Sequence, residues 1–393
     1  MLQNQVVIIG AGASGLMCAI ESAKRGRQVL VVDHANKAGK KILMSGGGRC
    51  NFTNYDVSAE HYLSHNQHFC KSALSRFTQW DFIAMVQDYQ IPYHERSHGQ
   101  LFCNDSAKDI LKMLLSECEK YQVKIALKVS VNDIAVKASG GYHLNTTLGE
   151  IQCESLVVST GGLSIPKMGA TPFGYKVAEQ FGLQVKPTRA GLVPFTLDSN
   201  DKEIFSTLSG IAVDAVVNID GTSFRENLLF THRGLSGPVV LQISSYWQAG
   251  QAVHVDFLPD INVRGALSLA VDAHPQQSAK KFLTQWLPKR LISVLLSENI
   301  ANKQVKSLSL ADVKVMEACV HAWEVIPSGT EGYRTAEVTL GGVDCDELSS
   351  KTFEAKKAAG LYFVGEVVDV TGWLGGYNFQ WAWASGWCAG QYV

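Results

Sequence analysis

The first forty residues constrain the fold more than any other stretch. Val6-Val7-Ile8-Ile9 is wholly apolar and leads into Gly10-Ala11-Gly12-Ala13-Ser14-Gly15, after which Leu16 to Arg25 has helical character. A second apolar run, Val29-Leu30-Val31-Val32, ends on Asp33, eighteen residues beyond Gly15. Strand, glycine turn, helix and a strand ending in an acid make the βαβ unit of a dinucleotide fold. In that unit Gly10 allows the tight turn, Gly12 lets the backbone approach a pyrophosphate, and Gly15 lets helix and strand pack closely. The phosphates rest on the helix N-terminus, where unpaired N–H groups and the positive dipole end favour an anion. Asp33 accepts from ribose hydroxyls, and its charge argues against a 2′-phosphate, which fits FAD or NAD better than NADP.

The next segment, Gly39 to Asn54, sets three glycines (Gly46, Gly47, Gly48) among basic and polar residues. It suits neither helix nor strand, but it makes a backbone wall for a flat ligand. Lys40, Lys41 and Arg49 supply charge for a pyrophosphate or an anionic ring. Residues 59 to 120 read as helical, with His61, His65 and His68 spaced to share a face near Cys70; no second ligand cluster accompanies them, so no metal is expected. The Ser155–Ser159 run ends in Thr160-Gly161-Gly162, as a central strand does where it meets a nucleotide. Residues 191 to 262 read as an inserted β module with Asp220-Gly221 as a hairpin turn, and 263 to 325 as a helical module. Residues 326 to 393 then rejoin the first domain, where Leu361–Val364 ends on Gly365 and Glu366 and a last helix opens at Gly375-Gly376-Tyr377-Asn378. A ligand that uses both chain ends is FAD; NAD does not require the second.

Composition narrows the partners. A formal charge of −1 excludes a broad basic surface, so any nucleic-acid contact must be a local patch. Nine cysteines without a CxxC pair suit a reducing cytoplasm. Val370 to Val393 carries no charge, yet glycines, Asn378 and Gln380 interrupt it, so it reads as buried interior and no membrane span is expected.

Together these segments resemble the YhiN/BaiN-like flavoproteins, most nearly the YhiN type. The specific parts are the Arg49-Cys50-Asn51-Phe52-Thr53-Asn54 block behind the three glycines and the Thr231-His232-Arg233-Gly234-Leu235-Ser236-Gly237-Pro238 block. The resemblance implies an α/β protein: a Rossmann-like FAD-binding domain built from both chain ends (1–190 and 326–393), with the barrel-like β module and the helical module between them. It places Ser14 and Asp33 near the adenosine half, with Val131 giving backbone contact to adenine and His34 also among the cofactor contacts. Lys41, Gly47, Arg49, Cys50 and Asn51 then lie near the flavin, with Lys40, Ser45 and Gly46 also among the cofactor contacts. Gly10, Gly12, Ala13 and Gly15 line the pyrophosphate, and Thr160, Gly161 and Gly162 the strand edge. Glu366 is placed at the ribityl chain and Asn378 beside the pyrimidine ring, with Gly365, Asp369, Gly376 and Tyr377 also among the cofactor contacts.

Relatives of this kind reduce a bile-acid enone or convert a uridine to dihydrouridine in large-subunit ribosomal RNA. Both reactions deliver hydride to a C=C bond conjugated to a carbonyl, with an acid protonating the neighbouring carbon. The resemblance ranks the ribosomal-RNA reaction first, with RNA or an assembly intermediate as partner. A small-metabolite reductase or oxidase and a ribosome-binding protein that keeps FAD only as structure are the alternatives. No second GxGxxG appears, so NAD(P)H would bind transiently. Cys50 is nominated as the proton donor on the expectation that Arg49 lowers its pKa, against the reading of a packing residue. His232, on a module expected to form a lid or substrate platform, is the second catalytic candidate, against the reading that it caps a turn.

Overall fold

The computed structural model describes residues 2–393. The chain divides into two compact units, residues 1–189 with 338–393, and residues 190–337.

The first unit is centred on five parallel strands: β1 (Val6–Ile9), β2 (Val29–Asp33), β3 (Lys124–Leu127), β4 (Ser155–Val158) and β5 (Leu361–Phe363), in the spatial order β5-β4-β1-β2-β3. β1, β4 and β5 are buried throughout, which is why they read as continuous apolar runs without alternation. Between β1 and β2 runs α1 (Ala13–Lys24); the chain closes on α2 (Tyr377–Gly390). These two helices cross closely because α2 presents glycine where they meet. A Cβ at Gly386 would stand 2.3 Å from the Ser14 carbonyl oxygen, and one at Gly390 2.5 Å from Glu21 Cβ. The buried Trp381 and Trp383 of α2 donate from Nε1 to Gly365 O (3.1 Å) and Phe52 O (2.8 Å), so each ring is buried with its polar atom satisfied. The charge-free C-terminal stretch is thus a core helix, and no helix among the described residues is long and apolar enough to cross a membrane.

Residues 59 to 120 depart from an all-helical reading. Helices occupy Phe69–Arg76, Gln79–Asp88 and Ala107–Lys120, but Gln100–Cys103 is the central strand of a three-stranded antiparallel sheet, pairing with Asn51–Asn54 on one side and Tyr93–Glu95 on the other. His61 ends a short 3-10 turn, His65 lies in a bend and His68 stands at the start of the Phe69–Arg76 helix without a side-chain capping bond. The three do not share a helix face. His61 instead lies beside Trp373 and Tyr377, at ring distances of 4.6 and 4.9 Å.

In the second unit the β and helical segments share one core, including Phe230, Val255, Leu267, Phe282 and Met316. Its sheet has seven strands and extends past the anticipated boundary at 326. Trp323–Val325 pairs with Val253–Asp256, and Thr330 pairs with Phe195. The return to the first unit therefore comes at Val338. The Asp220-Gly221 turn is as expected: Ile219 pairs with Thr222, and both turn residues have positive φ, 47° and 83°.

Candidate functional site

Because the five strands are parallel, their carboxyl ends share one edge. That edge collects Gly10, Asp33, Ser159 to Gly162, and Gly365 with Glu366. Such an edge is where open α/β sheets bind ligands.

The three turn glycines are required for different reasons. Gly10 has φ +116°, and a Cβ there would meet Ser159 O at 2.4 Å; at Gly15 it would meet Gly10 O at 2.0 Å. At Gly12 nothing lies within 4 Å. Gly12 thus faces open space at the start of α1, whose first turn has neither a capping side chain nor an acidic residue. Unpaired N–H groups beside open space suit an anion. Gly47 and Gly48, at φ +64° and +87°, likewise have nothing within 4 Å of a built Cβ. Backbone open to solvent at the turn and again at the bend fits a long ligand with an anionic centre and a flat end, which is the chemistry of FAD.

The acids do more than await a ligand. Asp33 Oδ2 accepts from Ala11 N at 2.8 Å and Oδ1 from Ala35 N at 2.7 Å, so this carboxylate pins the glycine turn to β2. His34 Nε2 lies 3.0 Å from Gly169 O, and Lys40 Nζ donates to Met168 O at 3.5 Å; both brace the 166–169 turn. Val131 follows a stretch tied to β2, since Lys128 N and Val129 N donate to Ala35 O and Asp33 O at 2.9 Å.

Glu366 is the hub where the chain ends meet. Its Oε2 accepts from Lys41 Nζ at 2.8 Å, and its Oε1 accepts from Thr339 N at 3.0 Å and Ser164 Oγ at 3.2 Å. Lys41 also donates to Ser164 Oγ at 2.7 Å. Thr339 Oγ1 accepts from Leu163 N and Ser164 N at 2.8 and 3.1 Å, fixing the loop after Gly162. Ser164 and Thr339 escaped sequence analysis because a lone hydroxyl carries no pattern; the nearby Gly161-Gly162 pair was the available signal. Ser159, whose Oγ donates to Ile9 O and Gly10 O, escaped for the same reason.

Several nominated side chains are committed elsewhere. Thr160 Oγ1 is buried, and a Cβ at Gly174 would stand 2.3 Å from it, so the hydroxyl turns away and only the Thr160 backbone is left for a ligand. The Asp369 carboxyl is buried, accepts from His65 N at 2.9 Å and is pushed above the usual range by that burial. Asn378 exchanges hydrogen bonds with Gly372 N and O, both 2.8 Å, and donates to Trp373 O, bracing the α2 entry. Tyr377 is buried, with its phenol pushed up to about 12 by that burial. Ser14 Oγ reaches Val364 O at 3.5 Å, close to Gly365, whose positive φ allows that approach. Asn51, with its amide oriented to satisfy both ends, accepts from Gly376 N at 3.1 Å.

Cys50 does not meet the condition set for a proton donor. Its side chain is 0% exposed, and burial, not Arg49, dominates its thiol, pushing the pKa far up; Cys103 nearby adds to the rise. The Cys103 thiol is pushed up to about 12, again by burial. Both are neutral packing residues at neutral pH. We expect native Cys50 to resist maleimide labelling while the unfolded chain reacts, and Cys50→Ala to keep wild-type turnover; a labelled native Cys50, located by peptide mass spectrometry, would contradict the burial. His232 is exposed, and the turn around it is organised by Thr231, whose Oγ1 accepts from Arg233 N and Gly234 N at 3.2 Å. The capping role belongs to threonine. Arg233 pairs with Glu331 at 3.1 Å.

The family model described as HI0933-like protein Rossmann domain matches residues 4–392. The Escherichia coli protein named ribosomal RNA dihydrouridine synthase is 56% identical over 100% of this chain and 98% of its own length. The Haemophilus influenzae protein of the same name is 52% identical, over 97% of this chain and 96% of that one. A Clostridium scindens protein named 3-dehydro-bile acid delta(4,6)-reductase is 31% identical, over 99% and 98%. A match running from the first strand of the parallel sheet through its last helix, with full-length relatives on the same pattern, makes the chain a member of the HI0933-like family, as the resemblance to YhiN/BaiN-like flavoproteins implied.

Proposed function

We propose that this protein is an FAD-dependent oxidoreductase that reduces a uridine of large-subunit ribosomal RNA to dihydrouridine, with NAD(P)H as electron donor, in the cytoplasm. The observation that carries the reading is the 56% identity, over the whole chain, to a protein named for that reaction. FAD, when bound, supplies the hydride for the C=C bond conjugated to the uracil carbonyl. The chain's own residues bind and orient it. Gly12 and the free α1 N-terminus receive the pyrophosphate, Asp33 holds the turn in place, and the Lys41–Glu366–Ser164 hub supports the ribityl end. Gly47 and Gly48 offer bare backbone to a flat ring.

The deciding measurement is mass spectrometry of ribosomal RNA from cells with and without the gene. A fragment heavier by two hydrogens only when the gene is present supports the reading, and identical fragment masses reject it. The 31% identity to a bile-acid reductase favours a second reading, a small-enone reductase. Turnover of a free enone by purified protein, with ribosomal RNA unchanged, selects that reading.

With Cys50 buried, His232 is the nominated acid that is exposed. His232→Ala is expected to keep full flavin content and to lower the turnover number by roughly a hundredfold, the usual scale of a lost general acid. Unchanged turnover would remove His232 from the reaction.

A further inference from the structure

Arg49 and Arg96 stand apart in their partners. Arg225, Arg233 and Arg264 each meet a carboxylate. Among the described residues the Arg49 side chain has no partner, and the Arg96 guanidinium meets neither carboxylate nor carbonyl. The Arg96 guanidinium lies over the Phe102 ring, 4.4 Å from its centroid, and its Nε donates to His94 Nε2 at 3.4 Å. His94 Nδ1 lies 2.7 Å from Asn104 Oδ1. An amide oxygen only accepts, so Nδ1 carries the proton and Nε2 is left to accept from Arg96. Among the described residues the two terminal amino groups of Arg96 have no acceptor.

The position is as informative as the pairing. His94 is opposite Phe102, and Phe102 is opposite Asn51. Arg96 N donates to Gln100 O at 2.8 Å. Side chains two apart on a strand share a face, so Arg96, His94, Phe102 and Gln100 line one side of this small sheet. That side carries the glycine bend: a Cβ at Gly46 would stand 2.9 Å from the Phe102 ring, and one at Gly375 3.1 Å from Gln100 Cγ. Arg49 is tied to the same strand, its carbonyl accepting from Cys103 N at 2.9 Å. Two guanidiniums that meet no carboxylate among the described residues thus flank the bend assigned to the flavin.

A guanidinium stacked on an aromatic ring and steered through Nε loses little entropy on binding, and its terminal pair of donors matches phosphate oxygens. A chain with a formal charge of −1 also requires such a local site to hold RNA. We propose that Arg96, stacked on Phe102 and steered by His94, binds a backbone phosphate of single-stranded RNA beside the nucleotide presented to the flavin. This rests on the ribosomal-RNA reading and names the part of the protein that grips the strand.

The test uses FAD-loaded protein, a uridine-containing single-stranded RNA followed by fluorescence anisotropy, and the variants Arg96→Met and Arg96→Lys. Methionine keeps an apolar cover on Phe102 while removing the charge. Arg96→Met is expected to keep its flavin and to bind RNA about tenfold more weakly, the scale of one charged hydrogen-bonded contact. The slope of log affinity against log salt should fall by about 0.7, one phosphate on a single strand. Arg96→Lys should restore the slope but not all of the affinity, since it keeps the charge and loses the fork. In turnover on RNA, Arg96→Met should raise KM and leave kcat unchanged. Wild-type affinity and slope in Arg96→Met would overturn the proposal, as would loss of flavin in both variants, which would make Arg96 a cover for the bend. Wild-type protein that neither binds nor reduces RNA would overturn the ribosomal-RNA reading as well. RNA turnover by wild type with Arg96→Met unaltered would remove this proposal alone.

Discussion

Gly12→Val is expected to give a folded, colourless protein. The Gly12 backbone is extended (φ −89°, ψ −168°), a conformation any residue adopts, and nothing stands within 4 Å of a Cβ built there. The valine Cβ therefore meets no protein atom, and the flavin-free fold should change by less than about 0.5 kcal/mol, the scale of a substitution made into open space. A pyrophosphate resting on the α1 N-terminus would meet the branched side chain directly. Loss of affinity by more than about a hundredfold, roughly 3 kcal/mol, is expected. Flavin released by heat, measured per mole of protein, checks the binding. Thermal unfolding must be compared with wild-type protein stripped of flavin, because a bound ligand stabilises by mass action. Full flavin content in Gly12→Val would show that the first turn does not hold the cofactor.

Gly15→Ala, three residues further on, is expected to do the reverse and damage the fold itself. Its Cβ would stand 2.0 Å from Gly10 O and 2.5 Å from Ser159 Oγ, and the nearer of these is backbone that cannot swing aside. Relief requires α1 to move off β1 and β4, which also disturbs the close α1–α2 crossing at Gly386 and Gly390. Overpacking of this kind costs about 3 kcal/mol, a large part of the 5–15 kcal/mol that holds a typical domain together. The flavin-free variant should unfold at least about 6 °C below flavin-free wild type. An unchanged midpoint by circular dichroism would mean that the turn has slack that its packing does not show. Two glycines of one motif thus separate: Gly12 serves the ligand and Gly15 serves the packing.

Much of this protein is determined by the sequence alone, wherever the determinant is local. The βαβ unit from Val6 to Asp33 follows from apolar runs of strand length, a glycine turn and a terminal acid, each of which acts on its immediate neighbours. The Asp220-Gly221 hairpin follows from two residues that tolerate positive φ. The buried nature of Val370 to Val393 follows from its lack of charge. Those features remain legible because short-range sterics and periodicity encode them.

Only the tertiary structure decided the rest, because the deciding contacts leave no mark on a residue's sequence neighbours, whether they span six positions, as for Asn378 and Gly372, or 304, as for Asp369 and His65. Cys50 lies in a basic, glycine-rich segment, so its sequence neighbours point to a low pKa; its spatial neighbours are core, and desolvation outweighs the adjacent arginine. Asn378 and Asp369 have the composition of ligand contacts, yet each is used up by backbone groups that folding brings to it. Ser164 and Thr339, which carry no motif, become part of a site because parallel strands from both chain ends finish on one edge. Residues 326 to 337 join the second unit because Thr330 finds a strand partner at Phe195, a pairing with no local signal. A residue's type limits the chemistry it can perform, but whether that chemistry is free for a ligand depends on which buried donors and acceptors the fold has already satisfied with it.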